Sequence, residues 1–360
     1  MIPATIEDVT PEFLTGIFGV KIESIETNQI GQGVGLMGDI YRMGLTSFDA
    51  NQSVPSSVVV KLPSAFEANR AQGVALGMFE AEIKFYNELA PSVPVGVPKI
   101  YHTDINPGTA EFVIVMEDLS RYDLVAQVDG MSAGQAHAAV EVLAKIHAVW
   151  WDKVKTPDLE WIPSMISPRI EYVDQLLTQI YPQFAEGFGQ YLPPGGLELY
   201  QQFAGNYLNI NKTISARSPW TLAHQDYRVE NLLFAPGEAV VLDWQGIGRG
   251  PGAYDLAYLL SGSMTIDSRR EHEAALVHTY CVSLEAAGIA GYSEESAWDD
   301  YGFAQLMGGL AVAMVTAGTL DLSNERGIQL VAIMAERHVQ AALDHDGPAR
   351  LAEILKNNQE

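Results

Sequence analysis

A histidine, an aspartate and an asparagine lie close together in LAHQDYRVENLLF, a polar segment with apolar residues at both ends. His224, Asp226 and Asn231 fit the pattern H-x-D-x-x-x-x-N, which is typical of a loop that catalyses phosphoryl transfer. In that chemistry a carboxylate positions an acceptor hydroxyl and takes its proton, whereas amide and carboxylate oxygens bind Mg²⁺. Asparagine and aspartate are also common in ordinary turns, so the segment alone does not decide between the two interpretations.

A second carboxylate, Asp243, follows the strand-like run VVL. Protein kinases carry the metal-binding aspartate of Asp-Phe-Gly at this point, but here Trp244 and Gln245 follow the aspartate. The change from Phe-Gly to Trp-Gln keeps the metal-binding carboxylate. It leaves open whether this loop can switch between two conformations. We therefore predict Asp226 as the catalytic base and Asn231 and Asp243 as the ligands of Mg²⁺.

Two more side chains belong to the same loop. Arg228 lies two residues after Asp226 and is predicted as a catalytic residue, because its cation could stabilise the transferring phosphoryl group. A salt bridge that orders the loop is the open alternative. His224 is expected to shape the loop through hydrogen bonds and not to act as the base.

His147, outside this loop, is expected to be a hydrogen-bonded histidine of the core.

The segment GQGVGLMG contains four glycines, three of them in the spacing G-x-G-x-x-G. This motif occurs in dinucleotide-binding folds and in kinases. A dinucleotide site needs a helix directly after the glycines, whereas the residues that follow, DIYRMGLTSF, alternate like a strand. That strand argues against an NAD-dependent oxidoreductase and favours a kinase lid over nucleotide phosphates. We predict nucleotide contacts by Gly31, Gly33, Gly35 and Gly38; a flexible hairpin turn is the alternative.

A lysine interrupts the apolar strand-like run VVVKLP. Burying Lys61 is costly unless an anion receives its charge. A kinase supplies two such anions, the nucleotide phosphates and a glutamate on the following helix. We predict Glu82 as that glutamate, with Glu80 as the second choice. The alternative is an exposed lysine on an edge strand.

The composition describes a globular protein of 360 residues, with 48% hydrophobic and 18% charged residues. With 45 acidic and 21 basic residues the net charge is −24, which argues against a nucleic-acid partner. The single cysteine, Cys281, fits a reducing cytoplasm, and the N-terminal residues show no secretory signal. We expect the uncharged residues 301–320 to form a buried helix and not a membrane span.

Residues 1–116 are predicted as a strand-rich nucleotide-binding lobe that contains one helix, at residues 74–90. Residues 117–360 are predicted as a larger, mainly helical lobe that carries the catalytic loop. Its strongest helical patterns cover residues 133–152 and nearly everything after residue 265. The expected fold class is α+β, with the two lobes of a protein-kinase-like fold.

Taken together, these segments resemble the aminoglycoside phosphotransferase and choline kinase superfamily, and within it the ecdysteroid-kinase-like (CHK kinase-like) branch. The resemblance covers nearly the whole chain. The segments that carry it are GQGVGLMGDIYRM, PSSVVVKLP, FEAEIKFYNELAP, FVIVMEDLS, LAKIHAVWW, HQDYRVENLLF and VVLDWQGIGRGPGAYDLAYLL.

The resemblance implies transfer of the γ-phosphoryl group of ATP to a hydroxyl of a small molecule. It also implies a hinge at residues 116–119, where Glu117 and Leu119 would contact adenine, and a buried Asp255 that braces the catalytic loop. The acceptor site would lie in the helical lobe, residues 117–360, and would be built by segments such as residues 160–215 and the C-terminal helices. Residues 160–215 supply seven aromatic residues that could line a pocket or pack in the core. These are Trp161, Tyr172, Tyr181, Phe184, Phe188, Tyr191 and Tyr200.

Two functions remain after this comparison. The first is a small-molecule kinase that uses ATP and Mg²⁺. The second is a catalytically silent, nucleotide-binding pseudokinase that acts as a regulatory or interaction module. A binding module has no chemical need for Asp226, so the kinase is the favoured interpretation. Only eleven residues separate Asp243 from Asp255 and no Ala-Pro-Glu motif follows, so a protein substrate is not expected.

Overall fold

The computed structural model describes residues 2–31, 38–48, 54–94, 96–319 and 325–357, with the backbone only at residue 319. The chain folds into two units. The first comprises residues 1–93, 97–123 and 242–246, and the second comprises residues 94–96, 124–241 and 247–360. The lobe division predicted at residue 116 stays a prediction.

The first unit is built on an antiparallel sheet of five strands in the order β1-β2-β3-β5-β4. The strands are β1 (Ile22–Ile30), β2 (Gly38–Ser47), β3 (Ser57–Pro63), β4 (Ile100–Ile105) and β5 (Phe112–Glu117). β3 and β5 are the apolar strands of this sheet. Val58 and Val60 of β3 and Val113 and Val115 of β5 belong to a buried cluster that also contains Val9, Leu14 and Met43. The central position of β3 explains why Lys61 is buried.

Three helices accompany this sheet, α1 (Pro11–Phe18), α2 (Glu67–Ala75) and α3 (Met78–Lys84). α1 was not predicted, although Thr10 caps it by accepting a hydrogen bond from the Phe13 amide. The single helix predicted at residues 74–90 is divided, because Gly77 adopts a left-handed conformation between α2 and α3. After α3 the chain continues through a π-helical turn at Phe85–Leu89.

The second unit is mainly helical. Its helices are α4 (Ala133–Trp150), α5 (Pro168–Phe188), α6 (Gly196–Phe203), α7 (Tyr207–Arg217), α8 (Ala253–Ser263), α9 (Ile266–Ala286), α10 (Glu294–Ala304), α11 (Gly308–Thr319), α12 (Glu325–Asp344) and α13 (Gly347–Asn357). All eleven residues of α8 are buried, so this helix lies in the centre of the unit. The strands are β7 (Trp220–Ala223), β8 (Leu232–Ala235), β9 (Glu238–Val241) and β10 (Gly248–Pro251), and β6 (Asp123–Leu124) precedes them at the boundary between the units.

The strands of the second unit form two short antiparallel pairs, β7 with β10 and β8 with β9. The segment between β7 and β8 is the predicted catalytic loop, which is therefore fixed at both ends by strand pairing. This mixture of a strand-rich unit and a helical unit agrees with the predicted α+β class.

The predicted helix at residues 301–320 is two helices, because the chain turns at residues 305–307 between α10 and α11. Leu320 lies outside the described residues. By length and composition alone, Glu294–Gly318 is a helical segment that could cross a membrane, but 78% of its apolar window is buried inside the protein. That burial is typical of the core helices of a globular protein.

We predict that His338 on α12 makes stability depend on pH. Burial and the neighbouring Arg337 lower the pKa of His338 to about 3, from an ordinary value of 6.5. Below pH 6.5 the unfolded chain binds a proton that the folded protein does not. The stability from neutral His338 is therefore complete above pH 6.5 and falls by about 1.4 kcal/mol per pH unit as the pH drops toward 3.

Urea unfolding of the wild type and of His338→Gln between pH 7 and pH 4 measures this effect. The free energy of unfolding should fall less steeply with decreasing pH in the variant. His137→Gln, at an exposed position on α4, is the control and should keep the slope of the wild type. A constant difference between wild type and His338→Gln at every pH would contradict the assignment.

Candidate active site

Lys61 of the first unit lies between two carboxylates. Its Nζ is 2.7 Å and 3.0 Å from the two carboxylate oxygens of Glu82 on α3, and 3.1 Å from Oδ1 of Asp243. Burial by itself would lower the pKa of Lys61, but Asp243 and Glu82 hold that pKa above its ordinary value. The lysine is therefore charged. Glu80 does not take part, since it accepts a hydrogen bond from the Gly108 amide at 2.7 Å.

Asp243 occupies a backbone conformation that few residues other than glycine adopt, with φ of +63°. Its Oδ2 accepts a hydrogen bond from Nε2 of Gln245 at 3.2 Å, and the Tyr86 hydroxyl is hydrogen-bonded to the backbone of Asp243. The carboxylate keeps 30% of its side-chain surface exposed. Asp243 is thus held by its neighbours and stays partly exposed.

Trp244 replaces the phenylalanine of the Asp-Phe-Gly pattern, and its indole is stacked on Phe85. The ring centroids are 3.7 Å apart with an interplanar angle of 9°, and both side chains are fully buried. Because Phe85 directly follows α3, the stack ties the Asp243 segment to the helix that carries Glu82. This packing holds Asp243 beside Lys61.

In the second unit, Asp255 braces the predicted catalytic loop, as the resemblance implies. Its carboxylate is fully buried on α8 and accepts hydrogen bonds from the His224 amide at 2.7 Å and the Gln225 amide at 2.9 Å. His147 Nε2 lies 3.2 Å from the same carboxylate, and its Nδ1 lies 2.7 Å from the Tyr280 hydroxyl. His147 is therefore a buried, hydrogen-bonded histidine that helps to hold the Asp255 carboxylate in place. Gln225, at φ of +65°, is fixed by this arrangement.

The carboxylate of Asp226 is surrounded by donors. Asn231 Nδ2 donates to Oδ2 at 2.7 Å, and the Tyr258 hydroxyl donates to Oδ1 at 3.0 Å. The Asp226 amide donates to Nδ1 of His224 at 3.2 Å, so His224 shapes the loop. About a third of the Asp226 side chain, 35%, is exposed. The arrangement can fix a carboxylate and still leave it open to a substrate hydroxyl.

Arg228 forms ion pairs within this loop. Its Nε is 3.3 Å from Oδ1 of Asp226, and its guanidinium also pairs with Glu230. These contacts match the loop-ordering alternative. The predicted role of Arg228 at the transferring phosphoryl group stays a prediction.

Asn231 and Asp243 offer the oxygen donors that suit Mg²⁺. Asn231 uses its Nδ2 for two hydrogen bonds to Asp226, to the backbone oxygen at 2.9 Å and to the side chain. The amide oxygen of Asn231 is consequently the group left to coordinate a metal. Asp243 supplies a partly exposed carboxylate in the first unit. Among the described residues, no group of three histidine, cysteine, aspartate or glutamate side chains could hold a metal ion.

The predicted hinge follows β5. The Glu117 amide donates to the Lys99 backbone oxygen at 2.9 Å, and a carboxylate oxygen of Glu117 accepts from the Lys99 amide at 2.8 Å. The Glu117 amide is therefore not available to adenine. Leu119 is buried. Asp118, which the sequence analysis did not single out, fixes the segment through Arg42 Nε at 3.2 Å and the Ser57 hydroxyl at 2.7 Å.

The predicted glycine lid is described only at its two ends. Gly31 follows β1 with φ of +68°, and Gly38 is the buried first residue of β2. A Cβ atom on Gly38 would lie 2.9 Å from the Leu62 backbone oxygen and 3.2 Å from the Lys61 side chain. Gly38 thus lets β2 approach Lys61 closely. Gly33 and Gly35 lie outside the described residues.

The aromatic residues proposed for an acceptor pocket divide into different environments. Phe184, Phe188 and Tyr200 are buried in the core, where Phe184 and Tyr200 have ring centroids 4.6 Å apart. Tyr172 and Tyr191 are exposed. Core packing is therefore correct for at least three of the seven aromatics.

The sequence analysis missed Tyr258. It follows Asp255 by three residues on α8, which places both side chains on one face of the helix. The three-residue spacing from Asp255 was the signal that could have identified Tyr258. Asp255 braces the loop backbone, and Tyr258 on the same face of α8 contacts the Asp226 carboxylate.

The family model described as "Ecdysteroid kinase-like family" matches residues 32–288. A choline kinase from Cryptosporidium parvum Iowa II is 12% identical with a TM-score of 0.59, covering 93% of this chain and 92% of that one. A Plasmodium vivax ethanolamine kinase is 10% identical with a TM-score of 0.54, covering 87% and 80%.

A third solved structure, from Ralstonia eutropha JMP134, is provisionally named an aminoglycoside phosphotransferase. It is 16% identical with a TM-score of 0.55 and covers 92% of this chain and 97% of that one. No relative was found among curated protein sequences. At these identities the structural matches show a shared fold, which is the predicted protein-kinase-like one.

We predict that Glu82→Gln destabilises the first unit. The substitution removes the nearer anion from a buried lysine, and breaking a buried ion pair costs about 3–5 kcal/mol. Because Asp243 stays beside Lys61, we expect a loss of about 2–3 kcal/mol in the free energy of unfolding, measured by urea denaturation.

Glu80→Gln is the matched control, two residues away on the same helix. It should cost about 1 kcal/mol or less, because it weakens a single hydrogen bond near the surface. Equal losses in the two variants would contradict the assignment of Glu82 as the partner of Lys61.

Proposed function

Because the chain belongs to the ecdysteroid kinase-like family, as its sequence predicted, we propose that it transfers the γ-phosphoryl group of ATP to a hydroxyl of a small molecule. The observation that supports this most directly is the loop around Asp226. Its backbone is held by the buried Asp255 and its carboxylate by Asn231 and Tyr258. A partly exposed carboxylate whose orientation is fixed by this many hydrogen bonds suits a catalytic base.

In this mechanism Asp226 accepts a hydrogen bond from the acceptor hydroxyl and takes its proton as the new O–P bond forms. The bond between the γ-phosphorus and the β,γ-bridging oxygen of ATP breaks in the same step, and ADP leaves. Bound Mg²⁺ would neutralise the phosphate oxygens, and the oxygens of Asn231 and Asp243 are the proposed ligands. Lys61, kept charged by Glu82, would pair with the nucleotide phosphates. Gly31 after β1 and Gly38 at the start of β2 are proposed to contact the nucleotide.

The acceptor is proposed to be a small alcohol. Solved structures with the same fold include proteins named as kinases of choline and ethanolamine, which are small alcohols. The eleven residues between Asp243 and Asp255 are taken up by the turn at Trp244–Gly246, by β10 and by the start of α8. This short connection supports the proposal that no protein is phosphorylated, because protein kinases use a longer segment there to hold a peptide.

We predict that Asp226→Ala abolishes phosphoryl transfer and leaves binding of Mg·ATP largely intact. The variant removes the proton acceptor but none of the proposed phosphate or metal contacts. We expect turnover to fall by on the order of 10²-fold or more. Turnover can be followed as ADP release and nucleotide affinity by calorimetry. Turnover equal to that of the wild type would remove Asp226 from the mechanism.

We predict that Asp243→Ala weakens nucleotide binding only when Mg²⁺ is present. The variant removes one oxygen ligand while Glu82 remains to hold Lys61. Titration of ATP with and without Mg²⁺ measures the metal-dependent part of the affinity, which should shrink about tenfold or more in the variant. An unchanged response to Mg²⁺ would contradict the role of Asp243. Glu80→Gln should respond to Mg²⁺ as the wild type does.

A further inference from the structure

The proposed mechanism assigns no step to the hydroxyl of Tyr258, although this group contacts the Asp226 carboxylate. It is 3.0 Å from Oδ1 of Asp226, and the tyrosine is 2% exposed. Burial and the neighbouring Asp226 carboxylate raise the pKa of Tyr258 well above its ordinary value. The phenol therefore stays protonated and is the donor in this hydrogen bond.

We propose that Tyr258 is a positioning residue, whose hydroxyl sets the orientation of the Asp226 carboxylate toward the acceptor hydroxyl. This inference rests on the proposed function, since it assigns Tyr258 a role through the catalytic base.

The donors around Asp226 explain how the orientation is fixed. A carboxylate offers about four lone-pair positions. Asn231 takes one on Oδ2, and Tyr258 takes one on Oδ1. Arg228 Nε approaches both oxygens from farther away, at 3.3 Å and 3.5 Å. Roughly one position therefore remains for the acceptor hydroxyl, and Tyr258 is the nearest donor to Oδ1.

The tyrosine ring is itself held by α12. It is stacked on the imidazole of His338, with ring centroids 5.3 Å apart and an interplanar angle of 13°. Ser261 Oγ lies 2.8 Å from Nδ1 of that imidazole. The backbone of α11 packs closely against the same ring, because a Cβ atom on Gly309 would lie 2.3 Å from His338 Nδ1. Two C-terminal helices thus support Tyr258 and, through it, Asp226.

Tyr254 provides a comparison within the same helix. It precedes Tyr258 by about one turn and is also buried, and the two rings are stacked with centroids 6.3 Å apart. Its hydroxyl is directed to α11, since a Cβ atom on Gly308 would lie 1.9 Å from it. Tyr254 therefore shares the burial and the helix of Tyr258, but its hydroxyl is hydrogen-bonded to Tyr207.

Tyr258→Phe tests the proposal, with Tyr254→Phe as the matched control. Tyr258→Phe keeps the ring and its stacking and removes only the hydroxyl. With Mg·ATP as the substrate and water or an identified alcohol as the acceptor, we expect kcat to fall on the order of 10- to 100-fold. The KM for ATP and the melting temperature should stay close to those of the wild type. Tyr254→Phe should keep kcat near the wild-type value.

A merely structural role would lower the melting temperature and leave kcat of the folded enzyme unchanged, and that result would overturn the proposal. Crystal structures give a second readout that does not need activity. In Tyr258→Phe the Asp226 carboxylate should move by more than about 0.5 Å, the tolerance of a catalytic arrangement. An Asp226 that superposes on the wild type would overturn the proposal.

These two readouts also separate this proposal from the proposed function. If the wild-type protein turns over no ATP with any acceptor, the proposed function fails. The position of Asp226 in the Tyr258→Phe crystal structure then still decides whether Tyr258 orients the carboxylate.

Discussion

The buried carboxylate of Asp255 is the interaction on which the candidate active site depends. It has no access to water and is satisfied by two loop amides and by His147. Removing any of these donors would leave a buried charge with too few partners, which is costly. The same contacts hold Gln225 in its left-handed conformation and so fix the backbone position of the following residue, Asp226. Stability and the position of the proposed catalytic base are therefore linked through one side chain.

The first unit also contains a buried charge that needs partners, and here the charge is positive. A lysine buried in β3 is stabilised by Glu82 and Asp243, and Asp243 is held by the stacking of Trp244 on Phe85. The replacement of Asp-Phe-Gly by Asp-Trp-Gln keeps an aromatic ring after the aspartate. The larger indole of Trp244 is fully buried. The substitution of tryptophan for phenylalanine therefore changes the packing beside Asp243 but leaves the aspartate in place.

The sequence predicted the elements of the site where local pattern and chemistry agree. Lys61 stands out because a charge inside an apolar strand needs a partner. The choice between Glu80 and Glu82 could not be settled from periodicity alone. Residues two apart on a helix point about 200° apart, and the break at Gly77 resets the phase of α3. Asp118 was missed because its contact with Ser57 joins residues 61 positions apart, which no local pattern encodes. Tyr258 contacts Asp226 across 32 positions, and its spacing from Asp255 was the one local signal.

Transfer of labelled γ-phosphate from ATP to a metabolite extract tests the central claim most directly. Mass spectrometry of the labelled products would identify the acceptor by its mass, and Asp226→Ala protein serves as the control. The account predicts a labelled small molecule that forms with the wild type and not with the variant. A labelled product that forms equally with both proteins would contradict it. So would intact Mg·ATP binding without transfer to any alcohol in a chemically diverse panel, which is the behaviour of a pseudokinase.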